Sequence, residues 1–99
     1  MIARHWRGLA KAARADDYVA HLRAQTLPRL LEMPGFAGAE ILRRDTMRGT
    51  EFVVITRWQS LEAIVAFAGC DAESAVVPAH AQAMMVEYDD RARHYTVID

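Results

Sequence analysis

Two spacings of apolar residues alternate along this chain, and the switches between them mark its elements. Residues 2–9 alternate with period two. Ile2, Arg4 and Trp6 fall on one face and Ala3, His5 and Arg7 on the other, which predicts a first strand. The long Arg4 and Arg7 stems can lie over apolar surface with their heads in water. Residues 12–31 switch to helical spacing. Ala15, Tyr18, Val19, Leu22, Thr26, Leu27 and Leu30 form one stripe, and Asp16 and Asp17 suit the positive end of a helix. Pro28 lacks an amide and crowds the preceding turn, so a kink is expected near residues 25–28. Pro34-Gly35 ends the segment.

Residues 36–45 and 51–58 return to strand character. They are expected to form a hairpin around Arg48-Gly49 with a loop of about four or five residues. The third strand is apolar on both sides (Phe52, Val53, Val54, Ile55, then Trp58), so both of its faces should be covered. Ser60 then reads as the N-cap of a helix carrying Leu61, Ile64, Val65 and Phe67, with Gly69 closing it. A short helical turn capped by Asp71 is expected over residues 72–77. After Pro78, another helical piece is expected over 79–86. A turn at Asp89-Asp90 and a last strand over 91–98 complete the reading.

The order is β-α-β-β-α-β over a single domain, residues 1–99. Right-handed crossovers turn that order into a ferredoxin-like α+β fold, with a four-stranded antiparallel sheet and its helices on one face. The other face needs cover, and a second copy packed sheet to sheet supplies it most simply, so a homodimer is expected.

Composition narrows the function classes. The chain has 99 residues, 53% of them hydrophobic, enough for one core. A net charge of −1 leaves no basic excess for phosphates, so nucleic acid is not an expected partner. Cys70 is the lone cysteine, which excludes an internal disulfide and a cysteine metal cluster. No apolar run reaches the roughly 18 residues of a membrane span, and none has the form of a signal peptide. The expectation is a soluble, cytoplasmic protein.

Three stretches carry a resemblance. They are the opening Met1-Ile2-Ala3-Arg4, the turn Pro34-Gly35-Phe36, and the junction Trp58-Gln59-Ser60-Leu61-Glu62-Ala63; the closing His94-Tyr95 pair adds to them. Over nearly its whole length the chain resembles the antibiotic biosynthesis monooxygenase superfamily of dimeric α+β barrels, and in particular its small bacterial members without an assigned reaction. One branch of that superfamily oxidises phenolic anthrones to quinones without metal or flavin. It needs a pocket, a base and donors for a developing oxyanion. Its strand-end tryptophan matches Trp58, and its asparagine four residues earlier falls on Val54. A second branch degrades haem. By rough register its axial histidine falls near His80, its helix tryptophan on Phe67 and its strand-one asparagine near His5. The resemblance therefore implies a monooxygenase of a small electron-rich aromatic or polyketide-like compound, needing no resident cofactor. Trp58 and His80 are the candidate catalytic residues, and His5, Tyr18, Val54, Phe67 and Met84 the candidate lining. The alternative is a non-catalytic dimeric module that binds a hydrophobic small molecule, or haem through His80.

Each of these residues also has a plainer reading. Trp58 can be a core anchor, His80 a solvent-facing histidine near a helix start, and Met84 ordinary packing. His94 reads as a packing or interface residue. His21 lies among charged neighbours and reads as exposed.

Overall fold

The computed structural model describes all of residues 1–99. Strand β1 (Ile2–Ala10) is followed by a single helical turn at Ala12–Arg14, helix α1 (Ala15–His21), a π-helical turn at Leu22–Thr26 and helix α2 (Leu27–Leu31). Then come β2 (Phe36–Thr46), β3 (Gly49–Trp58), α3 (Leu61–Ala68), α4 (Ala79–Gln82), β4 (Met85–Tyr88) and β5 (Arg93–Thr96). The sheet is antiparallel in the order β2-β3-β1-β4, with β5 paired to the same edge of β1 as β4. It thus has four rows, the last split in two, which is the expected α+β ferredoxin-like arrangement.

The π turn follows from Pro28. A proline cannot donate to the carbonyl four residues back, so the helix widens for one turn just before it, where the kink was expected. At the start of α3, the Ser60 hydroxyl accepts from the Ala63 amide at 3.2 Å. At its end, Gly69 (φ 93°) donates to Val65 O.

Four boundaries differ from the sequence reading. The hairpin loop is only Met47-Arg48. The Thr46 hydroxyl donates to Gly49 O (2.8 Å) and accepts from the Arg48 amide (3.2 Å), closing a short turn. Gly49 (φ 150°) passes so near β1 that an added Cβ would stand 2.3 Å from Ala10 O. The charged run that reads as a loop is the exposed end of an edge strand, where charge is at home.

Of the segment 72–77, Ala72-Glu73 form a single turn closed by Ser74 N to Asp71 O (2.9 Å), and the rest is extended rather than helical. Its backbone is tied to the chain after β4 by Ala75 N to Asp90 O (2.9 Å) and Ala92 N to Glu73 O (2.7 Å). Asp71 pairs with Arg91 (2.8 and 2.9 Å) instead of capping a helix. The helix expected over 79–86 stops at Gln82. Met85–Tyr88 join the sheet because the far edge of β1 needs backbone partners, as Ala10↔Met85 and Gly8↔Tyr88 show. The last strand is accordingly shorter than 91–98, with β5 at Arg93–Thr96.

The helices cover the face of the sheet that carries Arg4, Trp6, Phe52 and Val54. Two apolar clusters form there. One gathers Ala10, Ala15, Tyr18, Leu22, Phe52, Ala81, Met84 and Met85. The other is Leu30, Trp58 and Ile64, with Phe36 and Phe67 packed against it. The clusters do not merge, and the functional candidate lies between them.

Candidate functional site

An open cavity of about 570 Å³, its mouth included, runs between the sheet and the helices. Strand alternation sets its floor. Arg4 and Trp6 of β1 stand opposite Thr56 and Val54 of β3 and point to the helix side. Helical spacing sets its roof, with Tyr18, His21 and Leu22 one turn apart on α1 and the π turn. Phe67 and the extended segment Val76-Val77-Pro78 close the side.

The aromatic wall is built from rings packed edge-on and stacked. The Tyr18 ring meets Phe52 edge-on at 4.9 Å and lies 6.1 Å from His21 in a stacked pose. Burial pushes the Tyr18 hydroxyl strongly upward in pKa, so it stays neutral. Trp6 donates its indole N–H to Asp89 O at 2.8 Å. It also covers Gly8, where an added Cβ would meet the indole at 2.4 Å. The Gly8 position is therefore what lets Trp6 fold over the sheet.

Two basic side chains on the lining are buried. His21 is 6% exposed. Its Nε2 lies 3.4 Å from the Thr26 hydroxyl, and its Nδ1 is buried with no partner. Burial, then the neighbouring His80, lowers its pKa, so the ring is neutral at pH 7. Arg4 is 5% exposed. Its Nη1 donates to Ala72 O and to His94 Nε2 (2.8 Å), and its Nη2 donates to Ser74 O (2.7 Å). A histidine nitrogen that accepts from a guanidinium is unprotonated. Accordingly, burial and then Arg4 hold His94 below the usual histidine range.

The structure brings Tyr18, Val54 and Phe67 together on the lining, as the sequence suggests. The other candidates stand elsewhere. Trp58 is wholly buried behind the wall, stacked on Phe67 at 5.5 Å, and its N–H is spent on the Thr56 hydroxyl (2.8 Å). Met84 is sealed in the cluster around Tyr18. His80 is exposed on α4, its ring 5.4 Å from His21. His5 lies on the opposite sheet face, edge-on to Tyr95 at 5.1 Å, because it alternates with Arg4 and Trp6.

Arg4, Trp6, Thr56 and His21 belong to the lining and were not among the candidates. The alternation that groups Arg4 with Trp6 already held that signal. So did the place of His21, three residues after Tyr18 and one before Leu22. Charged neighbours made His21 look exposed, and a long side chain made Arg4 look solvated. In the fold both are inside.

No group of three or more histidine, cysteine or acidic side chains is arranged to hold a metal ion. No helix is long and apolar enough to cross a membrane.

A protein-family model described as "Antibiotic biosynthesis monooxygenase" matches residues 1–79. No curated protein matches the chain. Among solved structures, it is similar to a monooxygenase from the ActVA-Orf6 gene of Streptomyces coelicolor, crystallised with nanaomycin D. The TM-score is 0.68 at 19% identity, over 99% of this chain and 88% of that one. It is also similar to the haem degrader MhuD of Mycobacterium tuberculosis, solved with two haems in its active site. There the TM-score is 0.63 at 22% identity, over 100% and 97% of the two chains. At these identities the likeness speaks for the fold.

Proposed function

The chain belongs to the antibiotic biosynthesis monooxygenase family. On that premise we infer that it oxidises a small electron-rich aromatic or polyketide-like compound, the substrate itself supplying the electrons to oxygen. The observation that carries this reading is the aromatic-walled cavity with the imidazole of His21, held neutral by burial, on its lining. A neutral imidazole next to a bound phenol or enol can take its proton. The electron-rich anion left behind reduces dioxygen. For an anthrone the balance closes as one methylene plus O₂ giving one carbonyl plus water. Tyr18, Trp6 and Phe67 hold the flat ring and exclude water. Trp58 backs Phe67 from behind, and His80 lowers the basicity of His21 from the outer side. The sheet face away from the cavity packs on a second copy of the chain.

The test is oxygen uptake with 1,8-dihydroxyanthrone. The expected result is turnover to the anthraquinone, reduced about a hundredfold or more by His21→Ala and left within a few-fold by His80→Ala. Uptake no faster than in buffer would sink the enzymatic reading.

A second reading is a non-catalytic module that retains a hydrophobic ligand. The likeness to a haem-binding protein favours it. His80 stands outside the cavity lining, so it is not placed to ligate a haem seated in the cavity. Ligand retained through purification, without oxygen consumption, is what this reading expects.

A further inference from the structure

The charges around the cavity are lopsided. The chain has 13 acidic and 12 basic side chains, yet no Asp or Glu lines the cavity or its mouth, whereas Arg4 does so within and Arg29 at the mouth. The two guanidinium groups flank the same ring, Arg4 at 5.8 Å and Arg29 at 5.1 Å from the Phe67 centroid. Arg4 is the unusual one. It is almost fully buried and makes no ion pair with any carboxylate, while eight ion pairs form elsewhere, all involving other side chains.

Three of its five N–H groups are used, by two backbone carbonyls and His94. Nε–H and one N–H on Nη2 have no acceptor in the protein. The groups near it are neutral: His94 by its hydrogen bond, His21 and Tyr18 by burial. Glu73 is the acidic side chain that acts on Arg4, but its carboxylate accepts the His94 amide (3.0 Å) rather than the guanidinium. Backbone carbonyls orient a guanidinium without cancelling its charge. Burying a charge without a counter-charge is costly, and a ligand that brings the counter-charge offsets that cost.

We propose that the cavity favours its ligand as an anion, an aromatic compound with one ionised oxygen seated on Arg4 and flanked by Arg29 at the mouth, the form left once its proton has gone to His21. This rests on the reading of the cavity as an aromatic-ligand site. Arg4 is then the specificity-determining residue. The ring lies among Phe67, Trp6 and Tyr18, and the ionised phenol or enol oxygen takes the two free N–H groups.

Alizarin and its neutral parent anthraquinone form a suitable probe pair, because alizarin changes colour when its phenol ionises. In the wild-type protein the ionisation midpoint of bound alizarin should fall by about one pH unit or more. That is at least about tenfold tighter binding of the anion than of the neutral dye. Arg4→Gln should abolish the shift and still bind anthraquinone, and Arg4→Lys should keep part of it. The wild-type titration needs no variant, so the test survives if Arg4→Gln fails to fold. An unshifted midpoint with both dyes bound would overturn the proposal and leave the aromatic-ligand reading standing. A full shift retained in Arg4→Gln would overturn the role of Arg4. Failure of both dyes to bind would remove the aromatic-ligand reading and the proposal with it.

Discussion

The two faces of the sheet treat charge in opposite ways. On the helix-covered face Arg4 is buried without a carboxylate, and two histidines are held neutral. On the other face most charges reach solvent and are paired. Glu51 accepts from Arg7 (2.6 Å) and Arg44 (2.7 Å), and Arg57 donates to Glu40 (2.5 Å). These pairs frame an apolar centre of half-buried Val53 and Ile55, with Leu42 and Tyr95 about half exposed. Exposed, matched ion pairs contribute little to stability. Buried polar groups without partners cost a great deal and tend to mark function. The covered face is therefore the one that carries the proposed ligand site. The open one has the pattern of a contact surface, apolar at the centre and polar at the rim.

The largest separation of the two faces should come from Trp58→Ala. Removing a fully buried indole from the smaller cluster should cost about 3–5 kcal/mol in denaturant unfolding, with Phe67 losing its backing. A loss below about 1 kcal/mol would mean that the closed face is not held as described. On the open face, Ile55→Arg should leave the fold intact and raise the dimer dissociation constant about thirtyfold or more, read by sedimentation. A variant that unfolds instead, or a wild-type protein that sediments as a monomer, would break the assignment of that face.

The smallest effect is set by pH and should act through the closed face. The folded-state pKa values of His94 and His21 are lowered, so the unfolded chain binds more protons once the pH drops below about 6.5. Their contribution is present above that value and is lost as the pH falls through the folded-state pKa values. The unfolding midpoint should decline between about pH 7 and 5. His94→Gln, which keeps an acceptor for Arg4, should flatten that decline. An unchanged slope would show that His94 is not held neutral by burial and Arg4.

Much of the fold was legible because each element announces itself locally. Ser60 and Gly69 bracket a helix, Pro28 distorts one, and period-two alternation sorts β1 into faces. The errors fall where long-range pairing overrides local pattern. Residues 85–86 have helical neighbours but are drawn into the sheet by the unpaired edge of β1. Residues 74–77 follow a single turn and are held extended by backbone bonds between residues 73–75 and residues 90–92. The site was read in part for the same reason. Tyr18, Val54 and Phe67 follow from stripe and strand. Trp58 matches the family's motif yet stands behind the wall, because its N–H finds Thr56 two residues away.

By itself, then, the sequence determined the α+β class, the order of the elements and the face on which most side chains fall, since side-chain direction in a strand or helix is a local property. Only the tertiary structure decided which polar groups meet. The partners of Arg4 lie 68, 70 and 90 residues away along the chain. No period in the sequence records that distance. It arises when β1, the 72–74 segment and β5 close around one guanidinium.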